Sequence, residues 1–353
     1  MNRKLTPLVA AFGLVMLTQM PVAAEIQTFR PAVAEFTAAH PSPERRLDGH
    51  VWYPTLAEGE EGLLRASAVW RDVTAHLDAR IAPGVFPVVL ISHGMYGNSL
   101  NQAWLAKRLA AEGIISIMPN HPGTTSFGRD PEQARQLWLR ATDLSVSFDT
   151  LLSDPRVADH MDPTRVAAVG HSLGGYTVMA AAGARHDVAH FNQSCVNAAE
   201  RADCNALEMW KVGHSPDDLD MLQSDRSDPR IRTVIPLDLG GAQTFDPASL
   251  GAIDMPVLVL GSGRQDMLDQ DVESRALAKA LPADLVTHEE IAQAGHFDFM
   301  GLCVEGGYDI LKQEEPGDEI VCLKGMTERA ARHQQIFDLI MVHLKNTGVL
   351  KNG

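Results

Sequence analysis

Apolar residues along this chain come in short unbroken runs, and the stretches between the runs carry apolar positions at helical spacing. Phe86 to Ser92 is a continuous apolar run of the length of a strand buried on both faces, and Ile114 to Met118 is another. Between them, Leu100 to Ala111 has helical periodicity and stops at Gly113. From Pro131 to Ser153 the positions Leu137, Leu144, Phe148, Leu151 and Leu152 again recur at helical spacing. A strand-like run, Val166 to Val169, follows, and then the small-residue stretch Thr177 to Gly183. Later strands are read at Ile231 to Leu237, Pro256 to Leu260 and Leu285 to Ile291, and an early one at Val51-Trp52-Tyr53-Pro54, stopped by its proline. Thr327 has the character of an N-cap for a last helix running to the neighbourhood of Lys345. This alternation predicts an α/β fold, a mostly parallel central sheet flanked by helices on both faces.

One stretch breaks the rhythm. Ala184 to Pro229 is polar and contains Cys195, Cys204 and Trp210. An insertion at residues 184–229 would sit above the carboxyl ends of the strands, where open α/β sheets hold ligands, as a cap over the site or as a structural excursion pinned by a disulfide.

The start of the chain adds a location. Arg3 and Lys4 precede an apolar segment from Leu8 to Leu17, and Pro21-Val22-Ala23-Ala24 precedes Glu25, the order of a secretory signal. The expectation is cleavage after Ala24, with 1–24 a signal peptide and 25–353 one domain in the periplasm or outside the cell. The apolar segment is shorter than the roughly 20 residues that cross a bilayer, and nothing later is long enough, so no stable membrane span is expected. Asp and Glu total 45 against 30 Lys and Arg, a formal charge of −15 that disfavours nucleic acid and anionic membranes as partners. The four cysteines fall into two sequence-local pairs, so the expected disulfides are Cys195 to Cys204 and Cys303 to Cys322. With no C-x-x-C pair or clustered histidines, no metal site is expected.

The chemistry centres on Gly170-His171-Ser172-Leu173-Gly174-Gly175, a strand, a sharp turn and a helix with serine at the tip. Glycines two positions either side permit a strained turn that lifts the hydroxyl clear of the sheet. A serine hydroxyl needs a base and a group to orient that base. His296, in a glycine-containing loop after the last predicted strand, supplies the base in the chain order serine, acid, histidine. Two aspartates compete as the acid. Asp266 follows Val257 to Leu260 and stands at the commoner strand end for this role, so it is preferred over Asp238, which ends the preceding strand. Asp298 is too close to His296 in sequence for that role and reads as a loop-fixing residue, and His171 reads as packing. Backbone amides of Leu173 and of Met95, in Ser92-His93-Gly94-Met95-Tyr96-Gly97, are the candidate oxyanion donors.

These residues resemble those of the α/β-hydrolase superfamily, and within it the secreted serine esterases usually labelled predicted dienelactone hydrolases, which are similar to platelet-activating-factor acetylhydrolases. The pieces that match are Val51-Trp52-Tyr53-Pro54, Ser92-His93-Gly94, the elbow through Tyr176, and Gly295-His296-Phe297-Asp298-Phe299. True dienelactone hydrolases use a cysteine where this chain has Ser172. The resemblance implies an α/β-hydrolase fold and a cofactor-independent hydrolase of carboxylic esters, acting on a small-molecule or lipid-like substrate. It implies the acid in two ways: an acetylhydrolase-like Leu-Asp pair matches Leu237-Asp238, and the broader esterase pattern matches Asp266. Acyl transfer to an alcohol on the same triad, or a catalytically silent binding scaffold, are the rival functions.

Overall fold

The computed structural model describes Met1 and residues 28–351 apart from 65–66, 197, 199 and 324–325. The segment read as a secretory signal therefore lies, Met1 aside, outside the described residues.

The chain opens with strands β1 (Arg30–Ala39), β2 (Arg46–Thr55), β3 (Gly62–Leu63), β4 (Thr74–Leu77) and β5 (Phe86–Ser92). Helix α1 (Ala103–Ala111), strand β6 (Ile115–Pro119), the small hairpin β7 (Thr124–Thr125) and β8 (Gly128–Arg129), and helices α2 (Pro131–Ala134) and α3 (Trp138–Leu152) come next. Strand β9 (Met161–His171) and helix α4 (Leu173–Ala181) precede α5 (Val188–Cys195), α6 (Ala202–Met209) and α7 (Pro216–Gln223). The chain ends with β10 (Ile231–Leu237), α8 (Pro247–Gly251), β11 (Val257–Ser262), α9 (Ser274–Ala280), β12 (Val286–Ile291), α10 (Gly307–Glu314) and α11 (Met326–Asn346).

Among the described residues, ten strands form one sheet in the order β12-β11-β10-β9-β5-β6-β2-β1-β4-β3. Neighbours from β12 through β6 are parallel, and β2 runs antiparallel to both β6 and β1. The unbroken apolar runs follow from burial on both faces. In β5, Val88 and Leu90 pack into one core with α3 and α4, while Val89 and Ile91 pack into the other with α1 and α11. The chain leaves β5 for β6 on one side and returns to β9 on the other, so the strand order reverses between β5 and β9. Such a reversal opens a crevice at the carboxyl ends of the two strands.

Two local expectations are revised. The early strand does not stop at Pro54: β2 continues to Thr55, because β6 pairs with it only from Gly49 to Trp52 and the missing N–H costs no bond on that side. Its hairpin partner β1, in register from Arg30 with Thr55 to Ala39 with Arg46, carries no strand signal strong enough to be read from the sequence. The helix expected over 131–153 is divided into α2 and α3, with tight turns such as Gln136 N to Gln133 O between them. The interruption at 184–229 holds α5, α6 and α7, and Cys195 is bonded to Cys204 across the α5–α6 turn. The second bond joins Cys303 to Cys322, as the local spacing predicts.

Candidate active site

Ser172 stands at the end of β9 with φ 56° and ψ −122°, a backbone conformation that costs a non-glycine residue on the order of 1–3 kcal/mol. The surrounding glycines make it possible: a Cβ on Gly170 would strike the Gly174 carbonyl, and one on Gly174 would strike the Ser92 carbonyl. The turn is closed by the Ser172 amide donating to the Leu237 carbonyl at 3.0 Å and the Gly175 amide donating to the Ser172 carbonyl at 2.8 Å. Leu173 opens α4, so its amide has no acceptor within the helix.

His296 begins a short helical turn, His296–Phe299, beyond β12 and is almost fully buried. Its Nε2 lies 3.1 Å from Ser172 Oγ, and its Nδ1 lies 2.6 Å from Asp238 Oδ2. The other Asp238 oxygen accepts from the Ser262 amide at 2.8 Å and from Gln270 Nε2 at 2.9 Å. A carboxylate with no solvent exposure is thus fully hydrogen-bonded. Burial pushes its pKa up, but the His296 bond and charge and the Ser262 amide together outweigh that and hold it below the usual carboxylate range.

The expectation that Asp266 orients the imidazole is corrected by this geometry. Asp266 is exposed, its Oδ1 accepts from the His296 main-chain amide at 3.1 Å, and its Oδ2 pairs with Arg264 at 3.0 Å. It touches the histidine's backbone and not its ring. Asp238 is the nearer group because β10 lies directly beside β9, with Asp238 turning at φ 41° to face the site, whereas Asp266 comes four residues after β11 has ended.

The histidine loop is held from several sides. Asp298 accepts from the Gly295 amide at 2.9 Å and pairs with Arg329 at 3.1 Å and Arg332 at 3.0 Å, the loop-fixing arrangement read for it. His171 is buried, its Nε2 is 2.8 Å from the His296 carbonyl, and burial, then the neighbouring His296, lowers its pKa to about 3. It is therefore neutral and donates to that carbonyl.

On the other side, the loop bearing Met95 is fixed by groups with no signature in the sequence. Arg140, fully buried on α3, donates to the His93 carbonyl and to the hydroxyls of Thr124 and Thr177. The adjacent Tyr96, at φ 53°, receives a hydrogen bond from Trp210 Nε1 at 3.2 Å, which ties this loop to the end of α6. Glu273 accepts from the Gly241 and Ala242 amides at 2.9 and 2.7 Å, fixing the loop after β10 that passes Ser172. Arg140 and Glu273 act on main chain far away in sequence, and Trp210 on a distant side chain. Among the described residues, no group of three or more His, Cys, Asp or Glu could hold a metal ion, and no helix is long and apolar enough to cross a membrane.

The order of the sheet, the strained serine at the end of β9 and the histidine beyond β12 define an α/β-hydrolase fold. Residues 87–191 match the family model described as alpha/beta hydrolase fold. The chain is similar to a ferulic acid esterase from Streptomyces cinnamoneus, with a TM-score of 0.57 and 20% identity over 90% of each chain. In sequence it is 33% identical over 127 residues to Lipase 1 of Moraxella sp. (strain TA144), covering 36% of this chain and 30% of that protein. It is 30% identical over 105 residues to Cutinase 2 of Thermobifida cellulosilytica, covering 29% of this chain and 37% of that one. These matches span about a third of the relatives' length.

Proposed function

We propose that this chain is an exported serine hydrolase that cleaves carboxylic esters through an acyl-enzyme on Ser172. The observation that carries the reading is the relay from Ser172 Oγ to His296 Nε2 at 3.1 Å and from His296 Nδ1 to Asp238 at 2.6 Å. In this reading Ser172 Oγ attacks the carbonyl carbon and His296 Nε2 takes its proton. Asp238, kept ionised, holds the imidazole in the tautomer that accepts at Nε2 and stabilises the imidazolium. The oxygen that becomes negative is received by the amides of Leu173 and Met95. The ester C–O bond then breaks, His296 returns the proton to the leaving alcohol, and water attacks the acyl-enzyme with His296 again as base. The reaction written this way uses these side chains and water alone. Lipase, cutinase and ferulic acid esterase as the names of similar proteins support esters as the substrate class. The Leu237-Asp238 position of the acid fits the acetylhydrolase-like resemblance. Two disulfides support an oxidising compartment, periplasmic or extracellular.

Ser172→Ala should abolish both ester hydrolysis and labelling by a fluorophosphonate probe while leaving the thermal melt unchanged. Turnover near the wild-type rate in that variant would remove Ser172 from the mechanism.

A further inference from the structure

Gln270 is fully buried in the segment between β11 and α9, 32 residues along the chain from Asp238. Its Nε2 donates to Asp238 Oδ1 at 2.9 Å and lies 3.3 Å from Ser262 Oγ. Its Oε1, equally buried, makes no hydrogen bond among the described residues. The end of β11 leaves room for it: a Cβ on Gly261 would stand 2.8 Å from that oxygen.

A buried glutamine that served the fold alone would employ both ends of its amide, because a buried oxygen left unsatisfied costs about 1–3 kcal/mol. Here only the donor is engaged, and it is engaged with the carboxylate that meets His296. The amide cannot serve the other way round, since its oxygen would then face a carboxylate oxygen.

The carboxylate needs such a donor. The terminal torsion of an aspartate joins an sp³ carbon to an sp² carbon and is broad, so hydrogen bonds, and not a rotamer well, must fix the plane of the two oxygens. The Ser262 amide at 2.8 Å is one fixed point on Oδ1, about which the group can still turn. A second donor on the same oxygen sets the plane and so keeps Oδ2 at 2.6 Å from His296 Nδ1.

We infer that Gln270 is a positioning residue for the relay of Ser172, His296 and Asp238, holding the carboxylate plane from the side away from the histidine. This rests on the serine-hydrolase reading with Asp238 as the acid. Gln270 acts through Asp238 and not on the ester itself.

Gln270→Met keeps the length of the side chain and removes both the donor and the unsatisfied oxygen. With 4-nitrophenyl acetate as substrate its kcat should fall about tenfold or more, the scale of one hydrogen bond to a charged group, with KM nearly unchanged. Its melting temperature should hold or rise, whereas a glutamine that served the fold would lose stability and keep kcat in the folded fraction. The low-field proton NMR signal of His296 Nδ1–H should shift or broaden in the resting enzyme. Gln270→Glu has the same shape, and burial with the Asp238 charge keeps it protonated at acid pH, where its O–H donates in place of the amide. Its kcat should exceed that of Gln270→Met at pH 6 and fall below it at pH 9. Wild-type kcat in Gln270→Met, a loss of kcat that leaves the NMR signal in place, or equal impairment of the two variants at both pH values would overturn the inference. If the methionine variant does not fold, the glutamate variant decides alone: kcat no nearer to wild type at pH 6 than at pH 9 overturns it. Failure of the parent reading looks different, since the wild type would then show no turnover that a fluorophosphonate blocks, or Asp238→Asn would leave both turnover and the low-field signal as they were.

Discussion

Asp238 Oδ2 lies 2.6 Å from His296 Nδ1, across 58 residues of sequence, while Asp266 bonds only the main-chain amide of the same histidine. The two carboxylates therefore do different work on one residue. Asp238→Asn should leave the imidazole in the wrong tautomer and lower kcat by up to about 10⁴, with a small effect on KM. Asp266→Asn keeps an acceptor for the His296 amide and loses the pairing with Arg264, so its kcat should fall less than tenfold. Steady-state kinetics on both, with thermal melts to show that each is folded, decide the matter. A larger defect at Asp266 would return the acid to the end of β11.

The serine and the histidine were legible because their signals are local. Glycines flank Ser172 at the spacing a strained turn requires, and Gly295 precedes His296 in a loop after the last strand. The carboxylate that meets His296 was not, because neighbouring strands β10 and β11 both end near an aspartate. Only the adjacency of β10 to β9 and the burial of Asp238 separate them. The α/β alternation was legible for the parallel half of the sheet, where burial on both faces writes continuous apolar runs. It failed for β1, whose exposed Glu35 and Thr37 interrupt the pattern. Arg140 and Glu273 left no trace, since each bonds main chain 31 to 47 residues distant.

Arg140 gives a test of how the Met95 loop is supported. Its guanidinium, lowered to about 9 chiefly by burial, is donor to the His93 carbonyl and to two threonine hydroxyls. Arg140→Met takes the donor from the buried His93 carbonyl, at about 1–3 kcal/mol for a group left unsatisfied, while Thr124 and Thr177 keep their hydroxyl bonds to the His121 and Leu173 carbonyls. The melting temperature should fall, and in the folded fraction kcat should drop more than KM changes, because the loop carries a proposed oxyanion donor. A variant that melts early but turns over at the full rate would confine Arg140 to stability.

Glu273 predicts a pH dependence. Burial, then the charge of Asp203, raises its pKa from the ordinary 4.5 to about 8. Between those values the folded chain keeps a proton that the unfolded chain has released. Folding stability should therefore fall as pH rises from 4.5 through 8, by about 1.4 kcal/mol per pH unit at most, and level off above. Glu273→Gln retains a carbonyl oxygen for the Gly241 and Ala242 amides and removes the titration. Its melting temperature should decline less than that of the wild type between pH 5 and pH 8.5. Parallel pH profiles for the two proteins would mean that Glu273 is ionised in the fold throughout.

The last prediction concerns the disulfide nearest the histidine. Cys303 follows His296 by seven residues, and its bond to Cys322 closes a loop with a sequence separation of 19. Arg329 of α11 fastens both ends of that loop, donating to the Gly301 carbonyl at 2.8 Å and the Val321 carbonyl at 2.9 Å while it holds Asp298 at 3.1 Å. The strand-like contact of Trp70 with Cys303 joins the same loop to the wall of the cleft that contains Ser172 and His296. Non-reducing peptide mapping should recover Cys303 linked to Cys322 and Cys195 linked to Cys204, with no crossed species. Replacing Cys303 and Cys322 together by alanine should cost about 3 kcal/mol of stability, the scale for a closed loop of this size. Activity should decline at temperatures below the new melting point, because the loop loosened first is the one that continues from His296. Replacing Cys195 and Cys204 should instead leave activity to fall only in step with global unfolding, since that bond holds α6 and not the histidine. If the Cys303 and Cys322 replacement lost activity only in step with global unfolding, the disulfide would be a stabiliser of the fold with no hold on the site.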